Sequence, residues 1–436
     1  MVARVLTIAV IALLFAAGCE KTSHENIDKW TRTSKGPGKL RKAIADEDLD
    51  ADLSAHAAAN LVKMQQEPDV KAALEKMSPG RRQQLLAKLS PRLWDLARIE
   101  QENAIPNSQQ IVAKDALITL RKYADDTQKQ QIDNYLSDWY AVPSYEARAG
   151  VGATLGAGVM RMLGAPAGKK LMSVANSVLA APGQDKVKNR IGDELMLGLA
   201  ASGNTEAVKF LLDLVRLDRG DPSQGKRAMS ALYKTYIDPQ GLFEIASPEP
   251  LVSSLDQLVS IARDQALPGQ VVNDAVALIR AVGAPACLAP LVGMVKTPHG
   301  EPRFKYVAAF NALKCGGAKA ITEVIRALPD QGTYVKDELQ GSISGEIAKL
   351  GQPDLTKAAL RELLGDKSTV ARWVAIEALA AMKSVEDAPK IAALSGNKDK
   401  LVGYWGERNP ENKPDPTLGQ RAKELAEQLG KAESPK

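Results

Sequence analysis

Gly351-Gln-Pro353-Asp-Leu-Thr-Lys-Ala-Ala-Leu360-Arg-Glu-Leu-Leu-Gly365-Asp366-Lys-Ser-Thr-Val370-Ala-Arg372-Trp-Val-Ala-Ile-Glu-Ala-Leu-Ala-Ala-Met382 is the stretch whose reading decides the fold. It spells two helices across a short polar turn. In the second helix Val370, Trp373, Val374, Ala378 and Ala381 make one apolar stripe, and Ala371, Ala375, Leu379 and Met382 make another. A helix apolar on two sides is sandwiched between neighbours, as an inner member of a stack must be.

Working outward, the junction that opens this unit recurs. Met162-Leu-Gly164-Ala-Pro166, Ala201-Ser-Gly203-Asn-Thr205, Ala281-Val-Gly283-Ala-Pro285, Lys314-Cys-Gly-Gly317-Ala318 and Lys349-Leu-Gly351-Gln-Pro353 all end one apolar helix and begin another, as does Val385-Glu-Asp-Ala-Pro389. Weaker copies stand at Gln66-Glu-Pro68, Ala124-Asp-Asp126 and Asp238-Pro-Gln-Gly241. Gly accepts the left-handed conformation that ends a helix, and Pro is preorganised for a first turn. Most neighbouring junctions lie roughly 33 to 45 residues apart, the period of helical-hairpin repeats.

The unit at 351–382 resembles a HEAT repeat in its inter-repeat turn and in the Val-x-Arg and Ala-x-x-x-Ala-Leu character of its second helix. In that family a turn aspartate and a basic residue six positions on build a ladder between repeats, and the resemblance assigns those roles to Asp366 and Arg372. Tyr306-Val-Ala-Ala-Phe-Asn-Ala-Leu313 echoes Arg372-Trp-Val-Ala-Ile-Glu-Ala-Leu379 with Tyr306 in the arginine's place, so the ladder is incomplete. The expected fold is therefore all-α, a right-handed α-solenoid of roughly nine HEAT-like hairpins over residues 40–397, with a tetratricopeptide-type solenoid as the alternative. Low aromatic content, 4%, and the lack of dense β-branched alternation agree with helix-on-helix packing.

The flanks read differently. Val5 to Ala17 is apolar but for Thr7, follows Arg4 and ends at Gly18-Cys19. A run of this kind is too short to span a bilayer and has the form of a secretion signal. It resembles a bacterial lipoprotein signal, with Ala16 where Leu is usual; the alternative is an ordinary cleaved signal followed by a free Cys19. The resemblance implies that residues 1–18 are removed, that Cys19 carries lipid, and that the chain is held at the cell envelope. With Glu20 rather than Asp after the cysteine, it points to the periplasmic face of the outer membrane. Residues 19–39 hold two large apolar side chains, Ile27 and Trp30, and read as a disordered tether. At the other end, Tyr404-Trp405-Gly-Glu-Arg408 begins a proline-rich loop before a last helix, within a cap spanning 398–436. A loop of this length could be a binding surface, with Tyr404, Trp405 and Arg408 as its candidate interaction residues, but the reading preferred here is a cap in which the two aromatics cover the open end of the last repeat.

Ser78-Pro79, Ser90-Pro91 and Ser247-Pro248 each read as a helix start, a capping hydroxyl before a first-turn proline. Cys287 and Cys315, in apolar helical sequence, read as two small buried hydrophobes, with a disulfide as the alternative.

The sequence holds no catalytic constellation. Gly150-Val-Gly-Ala-Thr-Leu-Gly-Ala-Gly158 lacks dinucleotide spacing and reads as close helix packing through Gly152 and Gly156, and Gly164 to Lys170 misses the phosphate-loop pattern. Asp46, Asp48, Asp50 and Asp52 alternate as calcium ligands do, yet Ala51 and Ala57 stand where Gly and Glu are required. His24, His56 and His299 are far apart, so no zinc site is expected. Ser395-Gly-Asn-Lys398 lacks the partners of a serine-lysine enzyme. A formal net charge of +5 is too weak to suggest nucleic acid. The expectation is a non-enzymatic scaffold without cofactor or metal. Its partners would be a membrane, through its lipid, and another envelope protein; a cell-wall or polysaccharide-binding protein or enzyme using the solenoid groove is the alternative.

Overall fold

The computed structural model of the chain describes residues 21–101, 104–180, 191–217, 222–301, 303–409 and 412–431. Every regular element among them is helical, and their isolated extended contact is an antiparallel bridge between Lys400 and Thr417. The chain divides into two compact units, Met1–Ser202 and Gly203–Lys436. The signal and Cys19 lie outside the described residues.

The first unit corrects the reading of its leading segment. From residue 21 on there is structure rather than a tether: Ser23 accepts a hydrogen bond from the Asn26 amide and opens the helix His24–Trp30, and Gly36–Ala45 follows. Ile27 and Trp30 are buried, and their helix packs on Ala51–Lys63. Two apolar residues three apart form one face of a two-turn helix. That is enough when a neighbouring helix supplies the other face.

Ala51–Lys63, Pro79–Ala97 and Ser108–Leu120 then pack in succession. Ser78 caps its helix as expected, its side chain accepting from the Arg81 amide. Ser90-Pro91 does not start a helix; Pro79–Ala97 runs straight through it. An interior proline costs about 3 kcal/mol. Leu85, Leu86 and Leu89 before it and Leu93 after it are fully buried, and each such side chain contributes about 1.5–3 kcal/mol, so burial wins. Gly156 packs closely, as expected: a Cβ there would lie 2.7 Å from the Ala149 Cβ.

In the second unit the junctions are marked by left-handed residues. Gly203, Gly241, Gly283 and Gly317 take φ between 61° and 87°. The next two such positions are not glycines. At Gly351-Gln352-Pro353 it is Gln352 that turns left-handed, with φ 64°, directly before the helix Pro353–Leu364; at the following turn it is Lys383, with φ 53°. Ser247 does not act as a cap, since the helix Glu249–Val252 has no side-chain cap. The second helices of successive hairpins pack on one another in a row, Pro222–Tyr236 on Gly269–Ala281 and that on Phe304–Gly316. The row continues through the helical stretch 336–347, which contains a π-turn at Gln340–Ser344, to Thr369–Ala381 and then Leu418–Lys431.

Cys287 and Cys315 are joined in a disulfide with Cα atoms 6.3 Å apart, which replaces the reading of two separate hydrophobes. The hairpin explains the pairing. Cys287 precedes Leu288–Lys296 and Cys315 ends Phe304–Gly316, and antiparallel packing sets those two positions side by side.

Candidate functional site

The turn residues picked out in the sequence make links between neighbouring hairpins. Asp366 accepts from the Arg326 Nε at 2.7 Å and from the Ser368 amide at 3.0 Å. Arg372 donates to Asp399 at 2.8 Å, and Asp330 accepts from the Ser368 hydroxyl at 2.9 Å. Asp366 and Arg372 thus reach different neighbours rather than each other. The Ser368 amide, followed by Arg326, holds the Asp366 carboxyl below its usual range. Exposed pairs of this kind are worth about 0–1 kcal/mol each, so they set register more than stability.

Tyr404, read as part of either a cap over the last repeat or a binding loop, is buried. Its ring stacks on Trp373 at 5.6 Å and 21°, and burial pushes its hydroxyl up to about 12. Trp405 lies edge-on to Tyr404 at 4.8 Å, and its indole N–H donates to the Pro414 carbonyl at 3.2 Å. The side chain of Arg408 lies outside the described residues. Beneath the aromatics Arg421 grips Glu377 through two hydrogen bonds of 2.7 and 3.0 Å, with both side chains buried. Gln340, carried by the π-turn, and the Trp373 indole donate to the same carboxylate. Burial alone would lower the Arg421 pKa, but the bonds to Glu377 outweigh it and keep the guanidinium firmly charged. This end of the second unit is closed by a polar network whose members are engaged with one another.

Exposed apolar surface lies elsewhere. The turn after Pro222–Tyr236 presents Leu242 and Ile245, the latter 56% exposed, and Val252 follows just beyond it. Here Tyr236, Ile237, Ile245, Ala246, Pro248, Ala281 and Arg280 line an open cavity of about 320 Å³. The Ala246 amide donates to the Thr235 carbonyl at 3.1 Å and pins the loop that forms its rim. The sequence signal for this feature is present, Ile237-Asp-Pro-Gln-Gly-Leu242-Phe-Glu-Ile245, in which Leu242, Phe243 and Ile245 follow the turn residues directly. The repeat pattern marks it only as a weak junction.

Two histidines distant in sequence come together in the first unit. His24 Nδ1 lies 2.8 Å from His56 Nδ1, His56 Nε2 lies 2.8 Å from Asp28, and His24 Nε2 lies 3.3 Å from Asp52. Asn60 also donates to Asp28, and Arg92 holds both Asp52 oxygens at 2.8–2.9 Å. Burial lowers the His56 pKa, with Asp28 opposing it. Of the aspartates that alternate like a calcium loop, Asp50 caps Ala51–Lys63 and Asp52 serves this cluster.

The glycine-rich loop is held rather than open. Lys114, fully buried, donates to Asp115 at 2.6 Å and to the Val151 carbonyl at 3.1 Å, and a Cβ on Gly152 would strike its Nζ. Among the described residues no three His, Cys, Asp or Glu side chains gather to hold a metal ion, and no helix is long and apolar enough to cross a membrane.

No family model and no curated protein matches the chain. A crystal structure of an engineered protein is similar at 17% identity over 90% of this chain and 98% of that one, with a TM-score of 0.28. A likeness that low carries no argument.

Proposed function

We propose that this chain is a membrane-anchored lipoprotein adaptor, lipidated at Cys19, whose HEAT-like hairpins stack as a right-handed α-solenoid and bind another protein of the cell envelope. The observation that carries the reading is the apolar mouth at residues 236–281. Exposed Leu242 and Ile245 beside a cavity of about 320 Å³ are features of a surface that buries an apolar side chain of a partner. Arg280 on its wall favours an acidic residue next to that anchor. The row of second helices in the second unit, with left-handed residues 31 to 42 positions apart from Gly203 to Lys383, supports the repeat. Cross-linking in intact cells followed by detergent extraction and mass spectrometry tests it. One or two envelope proteins should be recovered from the native chain and lost from Ile245→Asp. Recovery of glycan fragments alone would overturn it.

One observation favours the alternative, a polysaccharide-binding protein. Trp94 and Tyr135, both half-buried, stack on each other at 5.1 Å and 4° in the first unit, and an outer face of such a pair is where a sugar ring would lie. Under this reading Trp94→Ala abolishes sedimentation with isolated cell wall; under the leading one it changes nothing.

A further inference from the structure

The His24–His56 pair poses a problem of proton accounting. Three contacts in the row Asp28, His56, His24, Asp52 each set two acceptors face to face unless a cation or a proton lies between them: Asp28 with Nε2, Nδ1 with Nδ1, and Nε2 with Asp52. Two neutral imidazoles bring two protons. If His24 Nδ1 donates to His56 Nδ1, the two hydrogen bonds are satisfied and a bare His24 Nε2 faces Asp52 at 3.3 Å; if both Nε2 atoms instead face their carboxylates as N–H, two Nδ1 lone pairs converge on one point. Asp28 is further fixed by Asn60, and Asp52 by Arg92, so neither carboxylate is free to turn away.

We propose that this point is a binding site for a late first-row transition-metal ion, Cu(II) ahead of Zn(II), ligated by the Nδ1 atoms of His24 and His56. An imidazole that ligates through one nitrogen while donating from the other to a carboxylate is the usual arrangement of a metal-bound histidine; His56 has it through Asp28, and His24 Nε2 lies 3.3 Å from Asp52. Imidazole nitrogen suits these ions, and Cu(II) binds tightest in the series. The charge also fits. With neutral rings Asp28, Asp52 and Arg92 sum to one negative charge, partly offset at longer range by Lys63 and Lys88. With bonds of about 2 Å, cis positions on tetragonal Cu(II) stand roughly 2.8 Å apart, close to the separation observed, whereas tetrahedral Zn(II) requires roughly 3.3 Å, so for zinc the rings must part by about half an ångström. His24 can move that far: its side chain is 52% exposed and sits in the first turn of its helix. Water completes the coordination shell on that open side. The bond joins the helix His24–Trp30 to Ala51–Lys63, so the metal also staples the leading segment to the body of the first unit.

The test is titration of the full chain with Cu(II) and with Zn(II), followed by calorimetry and, for Zn(II), by nitrogen NMR of the imidazoles. One ion per chain should bind, Zn(II) should shift the Nδ1 resonances of His24 and His56 but not His299, and affinity should fall at least tenfold in His24→Gln and in His56→Gln. Asp28→Asn should weaken binding by 10- to 100-fold through the second nitrogen. Circular dichroism of each variant separates loss of the ligand from loss of the fold; if His56→Gln unfolds, the exposed His24→Gln carries the result. Unchanged affinity in His24→Gln would mean an adventitious ion only, and resonances that respond to pH but not to metal would mean a shared proton only. Either result overturns the site.

Discussion

Two irregular segments of the second unit, the loop at 398–416 and the loop at 237–248, place their large apolar side chains in opposite ways. The former carries Tyr404 and Trp405, which its sequence offers either to a cap over the last repeat or to a binding surface. Its tyrosine is stacked into the core on Trp373, its tryptophan is hydrogen-bonded to Pro414, and Gly403 donates to Asp415. The latter reads in the repeat pattern only as a weak junction, yet leaves Leu242 and Ile245 exposed at the lip of a cavity. The lesson is that an aromatic residue reports available burial energy, not exposure. Whether that energy goes into the chain's own core depends on what faces the ring. Trp373 and the Arg421–Glu377 pair lie beneath Tyr404, whereas Ile245 is 56% exposed.

The contrast can be broken most severely at Arg421. Arg421→Met leaves Glu377 buried and charged without its partner and should cost about 3–5 kcal/mol in urea unfolding. Adding Glu377→Gln should recover a large part of that, because the stranded charge is then gone. Next in size is the disulfide: Cys287→Ser with Cys315→Ser should cost about 2–4 kcal/mol, since the bridge closes a loop of 28 residues. The turn carboxylates give a smaller effect with a definite sign. Asp366 and Asp399 are both held below their ordinary range, the first mainly by the Ser368 amide and the second mainly by Asn397. Their contribution is complete above the unfolded value of about 4 and lost as pH falls through the lower folded values. The melting temperature of the native chain should therefore fall below pH 4 more steeply than that of Asp366→Asn. Smallest of all is Ile245→Asp, expected within about 0.5 kcal/mol of the native stability because the side chain already stands in water. A large loss there would show that the loop is core and erase the contrast.

The hairpin pattern was legible because it is local. Val370 to Met382 declares two buried faces within one helix, and Gly203, Gly283 and Gly317 mark turns by a backbone demand that glycine meets most cheaply. The exceptions are instructive: Gln352 and Lys383 hold left-handed turns without glycine, where only the flanking helices specify the bend. The leading segment misled because its polar composition hid a docking face of two residues, Ile27 and Trp30. What could not be read was pairing across helices. His24 and His56 are 32 residues apart, as are Asp28 and Asn60, and both pairs meet because a seven-residue helix lies on Ala51–Lys63. The partner of Cys287 and the cover over Tyr404 depend in the same way on tertiary packing.

The most direct test of the adaptor reading is site-specific photo-crosslinking in intact cells, with a benzophenone amino acid placed at position 245 in one chain and at position 405 in another. The account predicts a discrete protein adduct from position 245 and none from 405. An adduct from 405 with none from 245 would contradict it, and would return the binding surface to the proline-rich loop.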